Sequence, residues 1–424
     1  MSDLSTEQLS IYLKAQTFEW LVSYSNETEW QVIVEGDSIS IGLKGQIYKE
    51  DLPEKIPDRN QITSLLNSLE SNQSLKQDLP FISLLDFFWR EQYLKKPLQL
   101  DAHKRVSKDS IQPEYLEILG WPIFDILMHS LLDQFGVKPQ RGKTVTLSCD
   151  YDFANIWNQL NELSAAKQLL RIGAGKGLSA FYKSFQSMSN AEKELKWNGS
   201  LNREMFSPDL DLGNEIEINR IAFLLIHQTN KNFDPKNNTS SNSYSNFLSQ
   251  LAKEGIEVGL HPGYDTRYQG EESMILQKDM LQSISSSIIQ KLRFHYLNAD
   301  LPHDLRLLEA AGIKEDYSFA FADTLLFRSG RSTPCRYWDF ELERMIDVLS
   351  VPLTIMDTTL VEYSAGNGNM SSHLERAWTF GQSINILFHN QYFDPFIEYP
   401  KAAEVQSLYS QCIEHLQALS SGNI

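Results

Sequence analysis

A parallel α/β sheet or a (β/α) barrel, preceded by a smaller mixed α+β region, is the fold class that the sequence predicts. Three observations carry it. Beyond residue 140 short apolar runs alternate with segments of helical periodicity to the end of the chain, the pattern of βαβ units. Before it, short runs rich in Val, Ile, Tyr, Phe and Trp are separated by Asn, Glu and Gly, as in hairpins. The chain has 424 residues, and at roughly 150 residues per domain two units are expected, 1–140 and 141–424.

The elements follow in order. TFEWLVSYS, WQVIVEGD and SISIGLKGQIY read as β-hairpins across residues 17–48. Apolar residues recur at helical spacing over 81–98 and 121–135, for example Ile123, Ile126, Leu127 and Leu131. The boundary falls at Arg141, Gly142 and Lys143, which introduce the β-branched strand TVTLSCDYDF. INRIAFLLI, IEVGLH, YSFAFA, PLTIMDTTL and INILFH are further strands. Between them lie a helix over 246–253 and a long helix with Leu281, Ile284, Ile288 and Leu292 on one face. Val405, Leu408, Cys412 and Leu416 mark a closing helix, and the polar, low-complexity stretch 229–245 reads as an exposed loop with no further signal.

Composition narrows the function. Thirty-eight Lys and Arg against 55 Asp and Glu give a net charge of −17, which repels phosphate backbones, so no nucleic-acid partner is expected. Three cysteines lie far apart without a CxxC, which indicates neither a disulfide framework nor a cysteine zinc site. The start, MSDLSTEQLS, has no apolar signal core, and no apolar run approaches the roughly 20 residues that span a bilayer. The expectation is a cytoplasmic protein with no membrane span, whose oligomeric state the sequence does not encode.

In parallel α/β folds ligands gather at the carboxyl ends of strands, so polar residues there carry weight. Asp150 and Asp152 end TVTLSCDYDF on one side of the strand, suited to metal binding and proton transfer or, equally, to a turn or helix cap. His261 ends IEVGLH and suits zinc or a hydrogen-bonded structural role, and Asp265 on the following turn is a candidate ligand or an ordinary turn residue. Arg293 and His295 in KLRFHYLN share a side if that segment is a strand. Arg293 then orients a catalytic carboxylate or caps a helix, and His295 ligates metal or is buried. His389 ends INILFH and is either a general acid or a core histidine. His129, His227, His303, His373 and His415 have no such companions and read as structural. RIGAGKGLSA lacks the GxxxxGK spacing of a phosphate loop, and Ser148 and Ser179 lack a GxSxG context.

Taken in this order and spacing, SCDYDF, EVGLHPGYDT, RFHYLN, FADTLLFRSG, PLTIMDTTL and LFHN resemble the polysaccharide deacetylase-like family of the NodB-homology superfamily. FISLLDFFWREQYL, LDAHKRV and LGWPIFDILMHSLLDQFG resemble the domain that precedes the barrel in members from bacterial surface-polysaccharide clusters, so the resemblance covers most of the chain. It implies a distorted (β/α)7 barrel that hydrolyses an acetamide or acetate ester on a carbohydrate substrate with a divalent metal, zinc foremost. By the same resemblance Asp150 is the base, Arg293 its orienting partner and His389 the acid. Asp152 and His261 are metal ligands, with Asp265 or His295 as the third, and Tyr264, Asp323 and Arg328 lie by the substrate groove. Two departures stand out. The second metal histidine, four positions after His261, is Asp265, and the first motif reads CDYDF where Asp, Asp and Gly are usual. The alternative is therefore a catalytically silent carbohydrate-binding or scaffold protein with a degenerate site.

Overall fold

The computed structural model describes residues 6–25, 27–35, 38–51, 67–68, 80–139, 143–152, 167, 169–170, 174–175, 177–189, 205–207, 209–237, 239–240, 242–363, 370–393 and 400–422. The expected junction at Arg141 and Gly142, and residues 171–173 and 176 of the RIGAGKGLSA segment, lie outside them.

The first surprise is helix α1, Thr6–Tyr24, which takes in the TFEWLVSYS run expected to be a strand. Tyr12, Gln16, Trp20 and Tyr24 lie four apart, with Leu13, Thr17 and Leu21 beside them, and all seven are buried. That is a helix-period stripe, and its burial outweighs the β propensity of the individual residues. The hairpin expectation survives in β1, Gln31–Glu35, β2, Ser38–Leu43, and β3, Gln46–Asp51, which form a small antiparallel sheet. Helices α2, Phe81–Trp89, and α3, Ile123–Gln134, follow.

The remainder is an α/β layer built on one large, mostly parallel sheet. Its strands are β4, Lys143–Tyr151, β5, Ile216–Leu224, β6, Glu257–Leu260, β7, Lys291–Leu292, and β8, Glu315–Phe319. Then come β9, Cys335–Asp339, β10, Arg344–Pro352, β11, Ile355–Met356, and β12, Ser383–His389. The order across the sheet is β11-β12-β4-β5-β6-β7-β8-β10-β9, and only the β9–β10 pair is antiparallel. β4 is buried on both faces over Val145–Tyr151, as a central parallel strand must be, which is why it reads as a nearly continuous apolar and β-branched run. The connecting helices include α4, Asn242–Lys253, α5, Glu271–Ser285, α6, His303–Ala310, α7, Met370–Phe380, and α8, Ala402–Ser420.

α5 ends before the sequence pattern suggests. The backbone turns left-handed at Ser286, in the serine run 285–287, so Ile288 is exposed and Leu292 belongs to β7 instead of the helix face. Consecutive serines bond to nearby backbone groups and stop a helix easily.

The two parts of the chain share one apolar core, from Tyr12 and Trp20 through Phe124 to Leu147 and Leu416. Polar clasps cross between them. Gln16 Nε2 donates to the Arg336 carbonyl and Gln16 Oε1 accepts from Trp338 N, each at 3.0 Å. Buried Asp125 accepts from Tyr24 Oη and, at 2.7 Å, from Ser332 N. No single helix among the described residues is long and apolar enough to cross a membrane.

Candidate metal centre

Parallel strands put their carboxyl ends on one edge, and that edge collects the candidate residues. Asp150 lies opposite His389 in the β4–β12 register, His261 follows β6 directly, and Arg293 follows β7. Asp152 sits in a bend one residue beyond β4. His295 reaches the same place by a route other than strand alternation. β7 stops at Leu292, and a tight turn with positive φ at Tyr296 and Leu297 swings the chain over the sheet edge.

Asp152, His261 and His295 form a buried group whose ligand atoms all lie within 4.8 Å of one another, and such a group can hold a metal ion. Asp152 Oδ1 is 3.2 Å from His261 Nε2 and 3.5 Å from His295 Nε2. The tautomers follow from the other ring nitrogens. His261 Nδ1 meets the Arg293 carbonyl at 2.6 Å, and a carbonyl only accepts, so Nδ1 carries the proton. His295 Nδ1 likewise donates to Asp234 Oδ1 at 2.9 Å. With each ring neutral, Nε2 turns a lone pair toward the Asp152 carboxylate, an arrangement that repels itself unless a proton or a metal ion sits among these atoms. Consistent with this, buried Asp152 Oδ1 and His261 Nε2 have no hydrogen-bond partner. Two nitrogens and one oxygen are a donor set that can hold a divalent ion with a coordination position left open.

The electrostatics point the same way. Burial raises the Asp152 pKa, but the imidazoles of His295 and His261 outweigh it and hold the carboxyl well below its ordinary range. Burial opposes charge on His261, yet the Asp150 and Asp152 carboxylates push its pKa up. The pocket attracts positive charge.

Around the group stand two further pairs. Arg293, fully buried, donates from Nη1 to Asp150 Oδ1 at 2.8 Å, from Nη2 to Ser148 Oγ at 2.9 Å and from Nε to the Tyr317 carbonyl at 3.1 Å. Its guanidinium lies 4.4 Å from the centre of the Phe223 ring. Three directional bonds and a stacked face fix the guanidinium, which holds Asp150 by Oδ1 and leaves Oδ2 facing His261 Nε2 at 3.7 Å. On the other side Asp357 accepts from His389 N at 2.6 Å and from His389 Nδ1 at 2.8 Å. Burial opposes charge on His389, but Asp357, with Asp152 and Asp150 behind it, pushes its pKa up to about 10. A cavity of about 420 Å3 opens over these groups and is lined by Asp150, Asp152, His295 and His389.

The remaining sequence candidates fall elsewhere. Asp265 is not in the convergent group: its Oδ2 accepts from Asn230 Nδ2 at 3.0 Å and its N donates to Thr229 Oγ1. Tyr264 packs on Phe233, with ring centres 4.3 Å apart. Asp323 accepts from Ser107 Oγ at 2.7 Å and from Lys108 N, so it binds the N-terminal part of the chain. Arg328 makes a two-pronged pair with Glu91, at 2.6 and 3.0 Å.

Sequence reasoning overlooked Asp234 and Asp357. Asp234 lies in the polar stretch expected to be a plain exposed loop, yet it is 4% exposed and accepts from Thr229 N, Asn230 N and Tyr264 N besides His295. Asp357 ends the apolar run PLTIMD, the same strand-end signal that picked out His261 and His389.

No family model and no curated protein matches the chain. Among solved structures, one from Mycobacterium smegmatis described as a candidate polysaccharide deacetylase aligns over 66% of this chain and 91% of its own. The identity is 12% and the TM-score 0.34, and a likeness at that score carries no argument about fold or function.

Proposed function

We propose that the chain is a metal-dependent hydrolase that removes acetyl groups from a carbohydrate. The observation that carries this reading is the buried Asp152, His261 and His295 group, set between a carboxylate fixed by Arg293 and an imidazole fixed by Asp357. Asp152, His261 and His295 would hold a divalent ion, zinc by the donor set, which would supply Lewis acidity toward an acyl carbonyl and lower the pKa of a water from roughly 15.7 toward about 7. Asp150 takes a proton from the attacking water at Oδ2, the oxygen that Arg293 leaves free. His389, charged at neutral pH beside Asp357, gives a proton to the leaving nitrogen or oxygen as the bond to the acetyl carbon breaks. Acetate and a free amine or hydroxyl result. The silent-scaffold alternative draws on the missing second histidine at position 265, and the convergence of His295 with Asp152 and His261 favours the hydrolase reading over it.

We also read the large sheet as a closed seven-stranded (β/α) barrel. Residues 344–356 form one run, whose β10 segment pairs with β8 and whose β11 segment pairs with β12. Leu353 N donates to the Phe319 carbonyl of β8 at 3.0 Å and Thr354 N to the Asn385 carbonyl of β12 at 2.8 Å, so consecutive residues of the run bond to both strands across the break. Closure of this kind leaves few exposed edges.

The test is elemental mass spectrometry on purified protein together with acetate release from acetylated oligosaccharides. One equivalent of metal, lost in His261→Ala and His295→Ala, with hydrolysis abolished in a metal-retaining Asp150→Asn variant, is the expected result. Full metal content in both histidine variants overturns the ligand assignment, and undiminished hydrolysis by Asp150→Asn overturns the base.

A further inference from the structure

One wall of the cavity comes from the N-terminal part of the chain. Residues 94–111 form a small hairpin held by bridges Leu94↔Ile111 and Leu100↔Val106, and it brings Asp101, Ala102, His103 and Arg105 to the cavity. The hairpin is tied down from several directions. Asp323 accepts from Ser107 Oγ and Lys108 N, and Arg105 Nη1 donates to the Tyr296 carbonyl at 2.8 Å. His103 lies flat on Tyr296, with ring centres 4.2 Å apart and planes 19° apart, next to the metal-group residue His295. Phe233 packs against both rings, and Phe233, His103 and Tyr296 all line the cavity.

We propose that this hairpin is the substrate-positioning wall of the cavity, with His103 as its principal contact to an uncharged acetylated sugar ring. The inference rests on the deacetylase reading and adds the substrate class and a role for the N-terminal part. Three features support it. The His103 side chain lines the cavity, and its Nδ1 spends no hydrogen bond inside the protein, so the imidazole's bonding capacity is not committed to the fold. Burial and the Arg105 guanidinium hold the imidazole pKa below its ordinary value, so at neutral pH the ring is uncharged and both donates and accepts. The aromatic surface beside it offers an apolar face to the C–H side of a pyranose.

Charge decides against anionic sugars. The cavity wall presents Asp101, Asp150, Asp152 and Glu362, and its cations are each matched by a carboxylate, Arg105 by Asp101 at 2.7 Å and His389 by Asp357 at 2.8 Å. No free cation on that wall, among the described residues, waits for a uronate or phosphate.

The test uses the full-length, metal-loaded protein and two probes. 4-Nitrophenyl acetate reports on the metal group and needs no sugar contact; the tetramer of N-acetylglucosamine reports on the hairpin. His103→Ala is expected to raise KM for the tetramer by roughly threefold to tenfold, the worth of one neutral hydrogen bond, with kcat, ester hydrolysis and metal content unchanged. His103→Gln, which keeps a donor and an acceptor, recovers part of the loss. An unchanged KM in His103→Ala, or a parallel fall in ester hydrolysis, overturns the role of His103. Tighter binding of a uronate-containing acetylated oligosaccharide than of the tetramer overturns the substrate class. Hydrolysis of the ester with no binding of the tetramer overturns this inference alone, whereas failure on both probes overturns the hydrolase reading with it.

Discussion

Asp234 sets the properties of His295 without touching the cavity's chemistry. Its carboxylate fixes the imidazole tautomer and ring direction, while backbone donors from Thr229, Asn230 and Tyr264 hold the carboxylate itself. Such a partner typically contributes about 10- to 100-fold in metal affinity. Asp234→Asn is therefore expected to weaken metal binding by about that factor with little change in fold, measured by competition with a chromophoric chelator; unchanged affinity excludes the role. His389 gives a pH signature. Its folded pKa of about 10 lies above the ordinary 6.5 because Asp357 outweighs burial. The stability it contributes is thus fully present below about pH 6.5 and lost as pH rises through about 10. The difference in unfolding free energy between metal-free wild type and His389→Gln should shrink across that window, and a difference that grows instead contradicts the pairing. The strand-end rule made most of these residues legible, since an apolar run that stops at Asp or His leaves a local mark. Asp234 leaves none. Its importance comes from contacts with residues 30 and 61 positions away, Tyr264 and His295, and its own neighbours are ordinary loop residues.

At the scale of elements, the site depends on close strand packing. Gly259 in β6 has no room for a side chain: a Cβ there would fall 2.5 Å from Phe223 Cδ1 and 3.2 Å from the Lys291 carbonyl. Phe223 in turn backs the Arg293 guanidinium. Gly259→Ala is expected to destabilise the fold by roughly 1–3 kcal/mol, through forced movement in a packed core, and to loosen Asp150 as well. Urea denaturation reads the first effect, and a midpoint equal to that of wild type would show that the strands have slack. Elements whose periodicity came from their own burial stripe, such as β4, β12 and α8, were readable from sequence. α1 was misread because Phe18, Trp20 and Val22 suggest strand locally, while the four-residue spacing of Tyr12, Gln16, Trp20 and Tyr24 includes a glutamine that does not look apolar. Gln16 is buried because it bridges Arg336 and Trp338, partners more than 300 positions away.

For the whole molecule, the shared core and the clasps at Gln16, Asp125, Asp323 and Arg328 join the two parts of the chain. The strands of the large sheet begin at β4, just past the boundary expected near residue 140, and the contacts between the two parts argue that they remain bound even when the link is cut. Limited proteolysis between about residues 136 and 145 should therefore leave a nicked protein that elutes as one species and melts in one transition. Separation of the fragments in size-exclusion chromatography would instead establish two independent units.

The position of β4 has a consequence for how the protein is made. Asp150 lies on a strand whose neighbour on one side is β12, and Ser148 bonds to Asn385, 237 positions later. At roughly 5–20 residues per second of synthesis, the ribosome takes on the order of ten seconds or more to supply that partner. Until then the nascent strand has one bare edge of unpaired N–H and C=O groups between apolar faces, a surface that invites pairing with other chains. Interrupted translation near the carboxyl end would yield products that lack His389 and expose that edge, so premature termination is expected to produce insoluble material instead of a weakened but soluble protein.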